Sequence, residues 1–194
     1  MWQQILPGLR IKILMTVLLG VIYPLAITGV CQLVFPHQAN GSLIVTNGMV
    51  VGSELIGQNF TRPEYFHPRP SAAGNDGYDA TASTGSNYGP TNQKLIDRVK
   101  ASAEKFRKEN PDYSGSIPAD LLTASASGLD PEISPASAAA QAARVANARG
   151  VSLDLVGAVI SEFTQSPDLG LFGEARVNVL KLNRAIDQRF PVKH

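Results

Sequence analysis

Ile13-Leu-Met-Thr-Val-Leu-Leu-Gly-Val-Ile-Tyr-Pro-Leu-Ala-Ile-Thr-Gly-Val-Cys-Gln-Leu-Val-Phe35 runs for 23 residues without an Asp, Glu, Lys, Arg or His. A helix of that length covers ~34 Å at about 1.5 Å per residue, enough to cross a hydrocarbon core of about 30 Å with a modest tilt. The apolar region of a cleaved signal peptide is shorter, about 7 to 15 residues, and ends at a small-residue cleavage site. Here Pro36, His37 and Gln38 follow instead, so a retained anchor is expected. Arg10 and Lys12 precede the run, and the first charge after it is Glu54. Basic residues stay on the cytoplasmic side, which predicts a single-pass membrane protein with its N-terminus inside. The chain then divides into a short cytoplasmic segment 1–12, a transmembrane helix 13–35 and one extracytoplasmic domain 36–194.

The composition narrows the function. Among 194 residues, 17 basic groups stand against 16 acidic ones, so the cationic footprint of a nucleic-acid binder is missing. One cysteine forms no internal disulfide. Within the span, Thr16, Gly20, Pro24 and Thr28 recur every four residues, a small or polar stripe against which another helix can pack closely.

Leu43–Thr46 and Met49–Ser53 are apolar or β-branched runs around Asn47-Gly48, a dipeptide suited to a tight hairpin. From Gly52 to Pro90 the chain is rich in Gly, Ser, Asn, Thr and Pro, with Phe60, Tyr65, Phe66, Tyr78 and Tyr88 spaced through it. A loop so long is expected to be functional, and its aromatics argue for order. Helices follow. The first begins at Asn92, with Leu95, Ile96, Val99, Ala103 and Phe106 on one face; the next is capped by Ser134-Pro135 and ends before Gly150. A third is capped by Ser152, with Leu155, Val156, Val159, Ile160 and Phe163 on one face, and a last one starts at Asn178. The fold class is α+β: a single N-terminal transmembrane helix, then a mostly helical extracytoplasmic domain with a small β-hairpin or sheet.

Familiar catalytic patterns fail on inspection. Ser102-Ala-Glu-Lys105 fits S-x-x-K, but no S-D-N or K-T-G companion exists and both residues fall on a charged helix face. Thr84-Gly-Ser-Asn-Tyr-Gly89 lacks the Gly-Lys-Ser/Thr of a phosphate loop. His37, His67 and His194 have no second ligand at i+3 or i+4, so no metal site is expected.

A series of longer motifs carries more. Gly52-Ser-Glu-Leu-Ile-Gly-Gln-Asn-Phe60, Tyr65-Phe-His-Pro-Arg-Pro-Ser-Ala-Ala73, Tyr78-Asp-Ala80 and Gly85-Ser-Asn-Tyr-Gly-Pro-Thr-Asn92 are followed by Pro118-Ala-Asp-Leu-Leu-Thr-Ala-Ser125, Ser127-Gly-Leu-Asp-Pro131 and Ile133-Ser-Pro-Ala136. Arg144-Val-Ala146, Ala148-Arg-Gly150, Arg176-Val-Asn-Val-Leu180 and Leu182-Asn183 complete the set. In this order they resemble the C subunit family of the bacterial Kdp potassium-transporting P-type ATPase. Ala126 and Ala175 depart from it where Gly and Pro are usual, which puts the backbone geometry of two turns in question.

The resemblance implies a non-catalytic subunit that assembles or stabilises an ATP-driven potassium importer. Its partners would be a channel-like potassium-binding subunit, a P-type catalytic subunit, a small membrane subunit and the lipid membrane, here a bacterial inner membrane. ATP and potassium would be handled by the complex, with no cofactor assigned to this chain. The family also carries a proposal that this subunit raises the catalytic subunit's ATP affinity, with Gln58 as a nucleotide contact. Candidate partner contacts are Thr16, Gly20 and Thr28 in the span and Arg62, Tyr65, Phe66, Arg69, Asn87 and Asn92 in the outer domain. Asn75, Asp76, Asp79, Ser83, Ser86 and Thr91 are expected to bond the loop's own backbone. The rival reading is a free-standing membrane-anchored enzyme or sensor.

Overall fold

The structure, a computed structural model, describes residues 2–46 and 48–192. Asn47 and His194 lie outside the described residues. The chain forms two compact units, Met1–Val51 and Gly52–His194.

In the first unit, α1 (Trp2–Val17) and α2 (Tyr23–Val34) are joined by a π-helical turn at Leu18–Ile22. Pro24 explains that turn, because it offers no N–H to the carbonyl of Gly20 and its ring crowds the same carbonyl. The resulting helix is long and apolar enough to cross a membrane over Gln3–Val34, and none of it is buried. It stops at Phe35; a short α3 (Pro36–Ala39) follows, and Asn40 exchanges amide hydrogen bonds with Gln32. Strands β1 (Leu43–Thr46) and β2 (Met49–Ser53) then form the expected hairpin, with Gly48 at φ +78°.

In the second unit, α4 (Gln93–Glu109) precedes a 3-10 turn at Ala119–Leu121. Then come β3 (Glu132–Ile133), α5 (Pro135–Arg149), α6 (Leu153–Phe163), β4 (Thr164–Gln165), β5 (Arg176–Asn178) and α7 (Val179–Arg189). The helix starts are those read from sequence: Asn92, Ser134, Ser152 and Asn178 each accept a backbone N–H of the first turn. Gly150 closes α5 in the left-handed conformation. Strands β3, β5 and β4 form an antiparallel sheet in that order, with Glu132 opposite Asn178 and Thr164 opposite Val177. Small residues on α5 (Ala138, Ala142, Ala146) let α6 and the sheet approach closely. Val145, Val156, Val159, Val177, Leu182 and Ile186 fill the space between them.

Two expected inward residues are exposed. Leu155 lies in the first turn of α6, at the edge of the stripe Val156, Val159 and Ile160; Ile96 lies on α4, where Phe106 is the buried residue. Neither Ala126 nor Ala175 needs a positive φ, so both departures from the family pattern sit in ordinary backbone.

Candidate functional site

No helix or strand covers residues 54–92, yet this stretch is fastened into the second unit. Phe66 is 0% exposed and belongs to the main core. In extended backbone, successive residues aim their N–H and C=O to opposite sides. Phe66 donates its N–H to Asn183 Oδ1 at 2.8 Å and accepts from Asn183 Nδ2 at 3.0 Å. His67 makes the same pair with Gln141, N–H to Oε1 at 2.8 Å and Nε2 to carbonyl at 3.1 Å. Two side-chain amides, one from α7 and one from α5, thus stand where neighbouring strands would be. A buried backbone left without such partners would lose about 1–3 kcal/mol per group.

Arg144 tightens the same place. Its guanidinium donates to the carbonyls of Pro63 (2.6 Å) and Tyr65 (2.9 Å), to Asn110 Oδ1 (3.0 Å) and to Gln141 Oε1 (2.7 Å). Burial lowers its pKa to about 10, partly offset by Glu109 and Glu64. It remains a cation at neutral pH, held mainly by carbonyl and amide oxygens.

Between this loop and α4 lies a polar groove of about 340 Å³, with His67, Arg69, Asp76, Lys105 and Glu109 among its lining. Glu109 bridges His67 Nδ1 at 3.4 Å and Lys105 Nζ at 3.9 Å. Burial, and then Arg144, hold the His67 pKa below its ordinary value, opposed by the Arg62 carbonyl and Glu109. Ser102 and Lys105 both line the groove, one helical turn apart. Lys105 is turned to Glu109, and Ser102 is half-buried. Among the described residues no group of three or more His, Cys, Asp or Glu is placed to hold a metal.

The predicted contact residues are scattered. Phe66 is the clearest correction: expected as a docking anchor, it is unavailable because the core encloses it. Tyr65 is half-buried; its hydroxyl donates to Asp187 Oδ2 (3.1 Å), and its ring lies beneath Arg62 and Arg149. Arg62 pairs with Glu64 at 3.1 Å and keeps much of its side chain in solvent. Arg69 bonds Asp130 at 2.8 Å, tying the long loop to the segment before β3, and Tyr78 donates to the Arg69 carbonyl at 2.8 Å. Burial, and then Asp130, push the Tyr78 pKa above its usual value.

Asn87 is exposed at φ +50°, and Asn92 is the cap of α4. Gln58 lies over Gly52 rather than in the groove. Asp79 accepts from the Thr81 N–H and hydroxyl, Ser83 donates to the Ser127 carbonyl, and Ser86 accepts from Arg98. Thr16, Gly20 and Thr28 all face outward from the span, and a methyl added at Gly20 would approach only the Thr16 methyl, at 3.9 Å. Sequence reasoning passed over Gln141 and gave Arg144 and Asn183 no role of their own. They stand in plain amphipathic helices, and only the family motifs singled the latter two out.

Known proteins share this whole span. The family model described as K+-transporting ATPase, c chain, matches residues 5–188. A protein of Beijerinckia indica named potassium-transporting ATPase KdpC subunit is 56% identical over 193 residues, covering 100% of this chain and 98% of its own. Proteins of the same name from Rhodospirillum rubrum and Caulobacter vibrioides are 54% and 59% identical. They cover 100% and 98% of this chain, and 100% and 96% of their own.

Proposed function

The chain belongs to that family, the c chain of K+-transporting ATPases, and from this premise we propose that it is a non-catalytic accessory subunit that assembles and stabilises an ATP-driven potassium importer. The observation that carries this reading is the use made of its polar groups. Gln141, Asn183, Arg144, Asp79 and Ser83 are turned to the protein's own backbone rather than toward a reacting centre. A chain built this way offers surfaces, and its partners would be the channel-like, catalytic and small membrane subunits of the complex. In mild detergent it should co-purify with a P-type ATPase subunit. Migration alone would favour a free-standing membrane-anchored enzyme or sensor.

In this reading the N-terminus is cytoplasmic and the domain from His37 onward lies outside. A reporter fused after His194 should be active only outside the cytoplasm; cytoplasmic activity reverses the orientation.

Any rise in the catalytic subunit's ATP affinity then works through coupling rather than a shared nucleotide pocket. A P-type ATPase binds ATP on its cytoplasmic side, whereas Gln58 follows the span by more than 20 residues, on the other face. Its side chain packs over Gly52, beside Leu180. Calorimetry of the full chain in detergent at millimolar ATP should show no saturable binding. Stoichiometric binding abolished by Gln58→Ala would restore direct contact. Coupling of this kind is a population shift between states of the complex.

A further inference from the structure

Between β4 and β5 the chain projects an apolar tip. Leu169 is 92% exposed, Leu171 77% and Phe172 61%, although each is a large hydrophobic side chain. The tip is not a loose loop. Asp168 and Phe172 exchange two backbone hydrogen bonds, 2.8 and 2.9 Å, while the N–H of Gly170 bonds Pro167 and that of Leu171 bonds Asp168. Arg176 holds the base by pairing with Glu132 at 3.1 Å and Asp168 at 3.4 Å. Leu169 sits at φ +55°, a conformation a leucine enters only against its own Cβ. A strained, rigid backbone therefore presents three apolar side chains to solvent, where they stabilise nothing in this chain.

We propose that Leu169, Leu171 and Phe172 form a preorganised plug that inserts into an apolar pocket, rimmed by basic groups, on another subunit of the same complex. The charge around the tip selects this occupant. Asp168 and Glu174 flank the apolar residues, both exposed, and together with Glu132 at the base they outnumber Arg176, which pairs with Asp168 and Glu132. An anionic lipid surface would be repelled by that rim, whereas a basic rim on a protein pocket complements it. Size excludes a self-sufficient dimer contact, because three side chains cover far less than the roughly 800 Å² per partner of a stable interface. Such a plug works on a chain already tethered beside its partner by a membrane helix, where effective concentrations reach about the millimolar range. Its rigidity then limits the ordering cost of insertion. The proposal rests on the reading of this chain as a complex subunit and names one contact within it.

Leu169→Gly separates fold from contact, because glycine adopts φ +55° without strain. Thermal unfolding of the full chain in detergent should show the variant's Tm unchanged or raised by about 2–4 °C. In the purified complex the same variant, and Leu171→Ser, should dissociate about tenfold faster than the unsubstituted chain. Dissociation at the unsubstituted rate overturns the plug. p-Benzoylphenylalanine in place of Phe172, irradiated in the complex in nanodiscs, should crosslink to an apolar segment of another subunit that carries Lys or Arg nearby. Crosslinking to lipid, to a second copy of this chain, or to nothing also overturns it. Failure of the unsubstituted chain to co-purify with any ATPase subunit overturns the subunit reading itself, a distinct outcome.

Discussion

The membrane helix and the loop 54–92 make opposite bargains. The helix satisfies its backbone within itself and buries no side chain in the protein, so its surface is left for lipid or other helices. The loop has no repeating hydrogen-bond pattern, yet it holds Phe66 and Ala73 at zero exposure because α5 and α7 lend it their amides. Regular backbone is therefore no guide to which part of this protein depends on the rest. The helix should tolerate outward-facing changes without harm to the domain, while the loop should fail when a distant side chain is altered.

Asn183→Leu makes the hardest test of that contrast. It keeps the volume but strips Phe66 of both backbone partners, and should cost about 4 kcal/mol, lowering the Tm of the full chain by about 8–16 °C in calorimetry. Rapid hydrogen exchange at the Phe66 amide should accompany the loss; an unchanged Tm would mean the amide clamp is not what orders the loop.

Gly128→Ala comes next. Gly128 has φ +67°, and a Cβ there would lie 2.6 Å from the Thr84 carbonyl oxygen and 2.9 Å from Ala73. The expected cost is about 2–3 kcal/mol in denaturant unfolding, since backbone on both sides must move.

The helix should answer differently. Gly20→Leu has free space within the chain, so the domain's Tm should stay put while retention in the complex weakens about tenfold, as a partner helix is held off. Equal retention would leave the span as a tether only.

The smallest effect is one of pH. The folded pKa of His67 lies below its ordinary 6.5, through burial and Arg144, so the unfolded chain binds the proton more readily. This contribution to stability is complete above the unfolded value and drains away as pH falls through about 6.5 toward the lowered folded value. Tm should therefore drop more on going from pH 7.5 to 5.5 in the unsubstituted chain than in His67→Gln, and a parallel drop in both would assign the effect to other groups.

What the sequence disclosed was local. The hairpin's two strands, the caps at Asn92, Ser134, Ser152 and Asn178, and the end of α5 before Gly150 follow from neighbours a few residues away. Strands β3, β4 and β5 are two or three residues long, too short for an alternation to register, and β3 finds β5 only across the whole of α5 and α6. The clamp was illegible for the same reason, as Asn183 looks like any polar residue on a helix until Phe66 is placed against it. Arg69 carried the right chemistry for a contact but found Asp130 within its own chain. The plug left a readable trace, apolar residues between Asp168, Gly170 and Gly173, that turn chemistry alone does not assign to a function.

Phe66 leaves the ribosome 117 residues ahead of the amide that will hold it. At about 5 to 20 residues per second that is a wait of roughly 6 to 23 s. During synthesis the loop emerges well before α5 and α7, the helices that clasp it. Its abundance of Gly, Ser, Asn and Pro keeps it soluble while it waits. A chain cut short before Asn183 would keep its anchor and its hairpin sequence but present an open, unclasped segment to proteases, so that the completeness of the C-terminal helix is reported more than a hundred residues upstream.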